Sequence, residues 1–151
     1  MTPDTIRSEV FIEAGIDHVW SLVSRTGFWI GDELCFAHDG KEGETVLVET
    51  ARYGRFPVRV ERLIPPRYAA YRWTSAFPGT MPEPGNSTVV EFTLIEQVGG
   101  VLVRVKESGF SGLRTSPEVR AARHADNVRG WSSQLELLRR ACDSDVAVTA
   151  T

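Results

Sequence analysis

Glu107 is placed by its sequence pattern where a polar group is least expected. The residues before it alternate between apolar and polar, with Val101, Val103 and Val105 at every second position. Successive side chains of a β-strand point to opposite faces, so this alternation places Glu107 on the same face as the valines. The sequence therefore predicts a carboxylate on the apolar side of a sheet, where it could orient a ligand or exchange protons with it.

His124 lies seven residues before Trp131 on an apolar stripe with helical spacing, so we expect its imidazole to point toward the same sheet. Glu107 and His124 would then form a polar spot within an apolar cavity. This spot either orients a ligand or acts as acid and base on it. The alternative is a structural pair, in which each group is satisfied by the other or by Arg72, Tyr71 or water.

Aromatic residues supply candidate walls for such a cavity. Tyr71, Trp73 and Phe77 share one parity along a predicted strand, and Phe92 lies on a second strand with the same alternation. Core packing is the alternative for each ring, because large rings fill curved sheets well. The candidate ligand-binding residues are those expected between sheet and helix: Trp29, Tyr71, Trp73, Phe77, Phe92, Val103, Val105, Glu107, His124, Val128 and Trp131.

Several common site chemistries are not indicated by the sequence. His18, His38 and His124 fall in three different predicted elements without metal-ligand spacing. The sequence contains neither a P-loop nor a G-x-G-x-x-G motif, which are the usual signs of a nucleotide site. We therefore expect no metal and no cofactor, and a binding protein is a better expectation than an enzyme, for which Glu107 and His124 would be the catalytic candidates.

Length, charge and cysteine content restrict the classes of function that the chain can have. The chain has 151 residues and a net charge of −3, which fits one domain and argues against nucleic acid as a partner. Cys35 and Cys142 form no C-x-x-C motif, so we expect reduced thiols. With neither a signal sequence nor a long apolar run, we expect a cytoplasmic protein without a membrane span. A homodimer is compatible with these features.

Hydrophobic periodicity predicts an α+β chain. We expect a strand over 5–13 and then a short amphipathic helix, which has Ile16, Val19, Trp20 and Val23 on one face and is ended by Arg25-Thr26-Gly27. A second helical turn is expected at 28–30. Six further antiparallel strands are predicted at 33–38, 44–53, 56–64, 68–77, 87–97 and 101–108, with a long loop over 77–86.

A long helix is predicted over 117–141, capped by Ser116 and begun by Pro117. Gly130 lies inside this helix, where glycine costs about 1 kcal/mol relative to alanine. A close backbone approach to the sheet or a ligand, or the packing of Trp131, would offset that cost. We expect one domain over residues 1–142 and a disordered tail over 143–151.

The order of these elements and a series of motifs resemble the SRPBCC, or START-like, superfamily, whose birch-pollen-allergen-like fold is called helix-grip. The nearest branch comprises bacterial proteins similar to the activator of the heat-shock protein 90 ATPase. The resemblance covers nearly the whole chain and rests on Val19-Trp20, Phe28-Trp29, Pro65-Pro66-Arg67-Tyr68, Tyr71-Arg72-Trp73, Glu107-Ser108-Gly109-Phe110, and Gly130-Trp131 with Leu135 and Leu138.

The resemblance implies a curved antiparallel sheet of about seven strands around a long C-terminal helix, with one or two short helices after the first strand. The function we expect first is the binding of a small hydrophobic or amphipathic molecule between sheet and helix. An enzyme similar to the aromatases and cyclases that act on polyketides is the second hypothesis. A chaperone accessory is the third and the least expected, because the activators it resembles carry an additional N-terminal domain.

Overall fold

In a computed structural model, the chain is described over residues 2–30, 39–50, 54–75, 77 and 79–150, with side chains as far as Asp143. Six antiparallel strands form one sheet in the order β1-β6-β5-β4-β3-β2. The strands are β1 (Thr5–Ile12), β2 (Thr45–Thr50), β3 (Gly54–Ile64), β4 (Tyr68–Trp73), β5 (Thr88–Gln97) and β6 (Gly100–Ser108).

Within the described residues the sheet is accompanied by two α-helices, α1 (Ile16–Val23) and α2 (Pro117–Ala150), and a 3-10 turn (Phe110–Gly112) precedes α2. The Ser116 hydroxyl accepts a hydrogen bond from the Val119 amide at 3.2 Å, so the predicted cap of the long helix is confirmed. The helix continues beyond its predicted end at residue 141, because residues 142–150 contain neither Gly nor Pro. The disordered tail over 143–151 and the domain bounds stay predictions.

The α+β class and the helix-grip arrangement are confirmed. The described residues contain six strands rather than seven, and the predicted strand over 33–38 lies outside the described residues. Residues 28–30 form a turn instead of a second helix, in which the Ile30 amide donates to the Gly27 carbonyl at 3.1 Å.

Strand β4 ends at Trp73, four residues before the predicted end at residue 77. The Phe77 amide donates to the Thr74 carbonyl at 3.0 Å, and the Gly79 amide donates to the Arg55 carbonyl at 2.8 Å. These bonds turn the chain out of the strand. The prediction that Phe77 shares a strand face with Tyr71 and Trp73 is therefore wrong, and Phe77 is half-buried beyond the strand.

The inner face of the sheet carries the core and faces α2. On β6, Val101, Val103, Val105 and Glu107 are each at most 2% exposed, which confirms the predicted parity. The buried residues of α2 are Trp131, Leu135, Leu138 and Cys142, whose spacings of three and four put them on one helix face. The helix packs most closely against β1 at one edge of the sheet.

One prediction on this helix face is wrong. Val128 is 43% exposed, whereas the half-buried Asn127 turns its amide toward Glu107 at 3.0 Å. Adjacent helical residues differ by about 100° around the axis, so only one of the two can occupy the inward position. A hydrogen bond to a charged group and the burial of one valine are each worth about 1.5–3 kcal/mol, and the inward Asn127 also supplies a donor to a carboxylate that would otherwise be buried with one donor fewer.

Candidate functional site

A cavity of about 510 Å³ lies between the sheet and α2, a volume within the range of small-molecule sites. We call it the tryptophan cavity. On the sheet side it is lined by Trp29, Ile30, Phe56, Trp73 and Ser75. On the helix side it is lined by Arg123, Asp126, Asn127, Arg129, Gly130, Trp131, Ser133 and Gln134.

Trp29 is the centre of the aromatic wall. Its ring lies 5.6 Å from Trp73, 6.0 Å from Trp131, 5.2 Å from Tyr71 and 5.6 Å from Phe92, measured between centroids. The contact with Trp73 is edge-to-face at 85°, an arrangement that the ring quadrupoles favour. The turn after α1 thus carries a side chain that joins the rings of β4, β5 and α2.

Glu107 is fully buried and is surrounded by hydrogen-bond donors. Its Oε2 accepts from Trp73 Nε1 at 2.9 Å and from Thr88 Oγ1 at 2.6 Å. Its Oε1 accepts from Trp131 Nε1 at 2.9 Å and from Asn127 Nδ2 at 3.0 Å. The cluster joins β4, β5, β6 and α2 through one carboxylate, and it fixes two of the indoles that line the cavity.

These contacts decide what Glu107 can do chemically. A carboxylate has about four lone-pair sites, and the four donors engage both oxygens. A buried carboxylate needs such donors, because an unpaired charge in an apolar interior is strongly destabilising. Glu107 therefore acts as a positioning residue for Trp73 and Trp131, and its oxygens are already engaged by the protein.

His124 occupies a different environment from Glu107. Its Nε2 lies 3.2 Å from the Thr5 carbonyl oxygen, and its ring meets Phe110 edge-on at 5.0 Å between centroids. His124 is not among the residues that line the tryptophan cavity. Among the described hydrogen bonds none joins it to Glu107, so the predicted polar pair is not brought together.

The remaining predicted residues divide by position. Trp29, Trp73 and Trp131 line the cavity directly. The residues buried in the surrounding core are Tyr71, Phe92, Val103 and Val105. Phe77 and Val128 do not line the cavity either, the first half-buried and the second exposed.

Ten of the lining residues are absent from the predicted set, and Phe56, Ser75 and Asn127 are three of these ten. Phe56 is buried on β3 and lies 5.9 Å from Trp73 between ring centroids. The alternation of Phe56, Val58 and Val60 along the strand indicates that Phe56 lies on the inner face of the sheet. Asn127 Nδ2 donates a hydrogen bond to Ser75 Oγ at 3.1 Å. The local sequence around either residue does not predict this contact.

Tyr71 anchors α1 to the sheet behind the cavity. Its hydroxyl donates to the Val23 carbonyl at 2.8 Å in a buried setting. Burial raises the pKa of Tyr71 well above its ordinary value, because the phenolate would lose its hydration. Tyr68, on the same strand, has its pKa raised to about 12 by burial and by its hydrogen bond to Glu91.

The helix side of the cavity is charged where it reaches solvent. Asp126 lies 3.5 Å from Arg123 and 2.6 Å from Arg129, and all three side chains are between 47% and 71% exposed. The cavity is thus aromatic inside and polar at its mouth, which is the distribution that an amphipathic molecule needs.

Gly130 lies on the cavity side of α2. A Cβ atom built there would meet no atom of a neighbouring element of the described chain within 4 Å. The expectation that a close approach of this backbone to the sheet explains the glycine is therefore wrong, whereas approach to a ligand and the packing of Trp131 stay predictions. The glycine instead leaves space open beside Trp131.

The described residues also bear on metal binding and on membrane insertion. No group of three His, Cys, Asp or Glu side chains lies together there as a metal site would require. None of the helices in the described part of the chain is long and apolar enough to cross a bilayer.

The family of activator of Hsp90 ATPase homolog 1-like proteins matches residues 18–143, which is most of the chain. The chain belongs to this family. The resemblance to the SRPBCC superfamily is thereby confirmed. No curated protein matches the sequence.

Solved structures share the fold of this family member at low sequence identity. DynU16, from the dynemicin biosynthetic locus, has a TM-score of 0.71 at 21% identity, covering 95% of this chain and 49% of its own. The chain thus spans about half the length of DynU16. CalU16 of Micromonospora echinospora has a TM-score of 0.58 at 21% identity over 89% of this chain and 71% of its own.

An Aha1 dimer from Colwellia psychrerythraea has a TM-score of 0.67 at 20% identity, covering 91% of this chain and 95% of its own. At these identities the likeness establishes the fold.

Proposed function

We propose that this protein binds a small apolar or amphipathic molecule in the tryptophan cavity. The observation that carries the proposal is the cavity of about 510 Å³ lined by Trp29, Trp73 and Trp131. Two of these indoles are held by Glu107, so the aromatic wall is rigid before a ligand arrives. A preformed site binds more tightly, because less conformational freedom is lost on binding.

The charge distribution supports an amphipathic ligand. The apolar body would lie against the indoles, and a polar group would lie near Arg123, Asp126 and Arg129 at the mouth. Since these side chains are largely exposed, their contribution to affinity is small and depends on salt. Most of the binding free energy would come from burial of the apolar part.

A cyclase-like enzyme is the second hypothesis, and the relative from the dynemicin biosynthetic locus gives it a context. Proton transfer needs an available acid or base within hydrogen-bond reach of the substrate. Glu107 is engaged by four donors, and His124 bonds to Thr5 away from the cavity lining. The geometry therefore favours binding over catalysis by these two residues.

A chaperone accessory and a homodimer are supported by the names of relatives, through the family description and the Aha1 dimer. A cytoplasmic location fits each of these roles. Stimulation of a chaperone ATPase by the purified protein would promote the accessory role. Sedimentation at several protein concentrations would decide the oligomeric state.

The test of ligand binding is a thermal-unfolding screen with a long-chain fatty acid, a bile acid, a naphthol and an anthraquinone carboxylate. A ligand present at a hundredfold its dissociation constant raises the free energy of unfolding by about 2.7 kcal/mol. We expect at least one class to raise the unfolding temperature. Lack of any shift across the panel would overturn the proposal.

Substitution of two adjacent serines on α2 tests where the ligand binds. Ser133 lines the cavity, whereas Ser132 is exposed and does not line it. We expect Ser133→Trp to abolish the ligand-induced shift by filling the mouth, and Ser132→Trp to retain it. Equal shifts in the two variants would show that the ligand binds elsewhere.

A further inference from the structure

Trp29 carries a buried donor that the protein itself does not use. Its side chain is 3% exposed and lines the tryptophan cavity. Its Nε1 has no hydrogen-bond partner among the described residues, whereas the indole nitrogens of Trp73 and Trp131 both donate to Glu107. A buried N–H group without a partner destabilises a folded chain. The cost is of the kind that a bound molecule could offset.

Gly130 is a second unfavourable feature of the same cavity. Glycine inside a helix is destabilising relative to alanine, and a Cβ atom at this position would meet no neighbouring element of the described chain. Packing against a neighbouring element of the described chain therefore gives no reason for glycine. The space that Gly130 leaves open belongs to the cavity.

We infer, on the basis of the proposed function, that the ligand is an aromatic molecule bearing a hydrogen-bond acceptor such as a ring ketone. Its acceptor takes the N–H of Trp29, and its aromatic body passes over Gly130. The indole wall favours flat rings through edge-to-face and offset contacts. One molecule then gives the Trp29 N–H group a hydrogen-bond partner and fills the space beside Gly130.

The hydrogen bonds already made within the protein indicate which polar group the ligand carries. The oxygens of Glu107 are engaged by Trp73, Thr88, Asn127 and Trp131, so they offer little to a donor on the ligand. The Trp29 Nε1–H group is a donor without an acceptor among the described residues. A ligand with an acceptor gains a hydrogen bond at the inner wall, and a ligand with only a donor leaves its own group unpaired.

The Trp29 nitrogen is itself covered by protein atoms. The acceptor of the ligand reaches the Trp29 nitrogen only when neighbouring side chains move aside. The observed affinity therefore includes the free-energy cost of that rearrangement. This cost belongs to the acceptor contact and not to a ligand without an acceptor, so the inference is tested by comparing the ketone preference of the wild type with that of a variant without the N–H group.

The test compares β-acetylnaphthalene with β-ethylnaphthalene, which have nearly the same shape and differ in one carbonyl oxygen. Their dissociation constants are measured by equilibrium dialysis for the wild type and for Trp29→Phe, which removes the N–H and keeps a ring. We expect the preference for the ketone to fall by about fivefold in the variant, as the loss of one hydrogen bond predicts. Trp20→Phe is the matched control, because Trp20 does not line the cavity, and it should keep the wild-type preference.

The outcomes separate this inference from the proposed function. If both naphthalenes bind and the ratio is the same in Trp29→Phe, the acceptor contact is wrong while ligand binding stands. If neither naphthalene binds but the fatty acid or the bile acid of the thermal panel does, the aromatic ligand class is wrong. The wild-type ratio also counts on its own, since tighter binding of the more hydrophobic β-ethylnaphthalene contradicts the inference even if Trp29→Phe fails to fold.

The path over Gly130 is tested by Gly130→Ala. The added methyl group occupies cavity space without touching a neighbouring element, so the variant should fold and bind both naphthalenes more weakly. Ser132→Ala, on the exposed face of the same helix, should leave both affinities unchanged. Unchanged affinities in Gly130→Ala would show that the ligand does not pass over this position.

Discussion

Trp131 on α2 donates its indole hydrogen to the carboxylate of Glu107 on β6 across 2.9 Å, and both residues are buried. This bond ties the long helix to the sheet at the inner end of the tryptophan cavity. The same carboxylate holds Trp73 from β4. One buried acid thus fixes the distance between the two sides of the proposed binding site.

Glu107→Gln should lower the stability of the protein. A carboxamide keeps one accepting oxygen and turns an NH2 group toward two of the four donors, so two hydrogen bonds to a charged group are lost. At about 1.5 kcal/mol each, the free energy of unfolding in urea should fall by about 3 kcal/mol. The control is Glu96→Gln, whose exposed ion pair with Arg67 is worth less than about 1 kcal/mol. Equal effects in the two variants would contradict the role given to Glu107.

The three cavity tryptophans should respond differently to phenylalanine. Trp73→Phe and Trp131→Phe each remove a hydrogen bond to Glu107, whereas Trp29→Phe removes a buried donor that has no partner in the described part of the chain. All three lose the same ring volume. Trp29→Phe should therefore be more stable than either of the others by about 1.5 kcal/mol or more in chemical denaturation. If Trp29→Phe is the least stable of the three, its N–H has a partner in the folded protein.

Alkaline pH should destabilise the fold through its tyrosines. The pKa of Tyr68 is raised from 10.0 to about 12, and burial raises that of Tyr71 as well. Above about pH 10 the unfolded chain loses these protons while the folded chain keeps them, so stability falls as pH rises. Tyr71→Phe should reduce this slope between pH 10 and 12, measured by urea denaturation at each pH. An unchanged slope would show that Tyr71 ionises alike in both states.

Acid should weaken the contact that holds the N-terminal strand to the turn before α2. Asp4 accepts hydrogen bonds from the side chain and backbone of Ser111 and from the backbone of Gly109, and these bonds lower its pKa below 3.8. A lowered pKa gives stability that is present above the unfolded value and is lost as pH falls through the folded value. Asp4→Asn should therefore be less stable than the wild type at pH 7, and the difference should shrink progressively as the pH falls below 3.8. A difference that persists in acid would assign the effect to packing.

Local pattern was enough to predict much of the fold. Alternation placed Val101, Val103, Val105 and Glu107 on one buried face, because strand parity depends only on sequence position. Likewise, the start of α2 followed from Ser116, because a cap acts on its own first turn.

The environment of Glu107 could not be predicted in the same way. Its donors come from three other elements and depend on strand register and on the rotation of α2 about its axis. That rotation turned Asn127 inward instead of Val128. It also left His124 with Thr5 as its partner, because long-range geometry and not apolar spacing decided the contact.

The central claim is that a small molecule binds in the tryptophan cavity, and the four indole N–H groups of the chain report on it directly. Trp29, Trp73 and Trp131 line the cavity, whereas Trp20 on α1 does not. Indole-labelled protein is titrated by NMR with the strongest compound of the thermal panel. We expect the three cavity resonances to move together with one dissociation constant while that of Trp20 stays in place. Movement of Trp20 alone, or equal movement of all four, would contradict binding in this cavity.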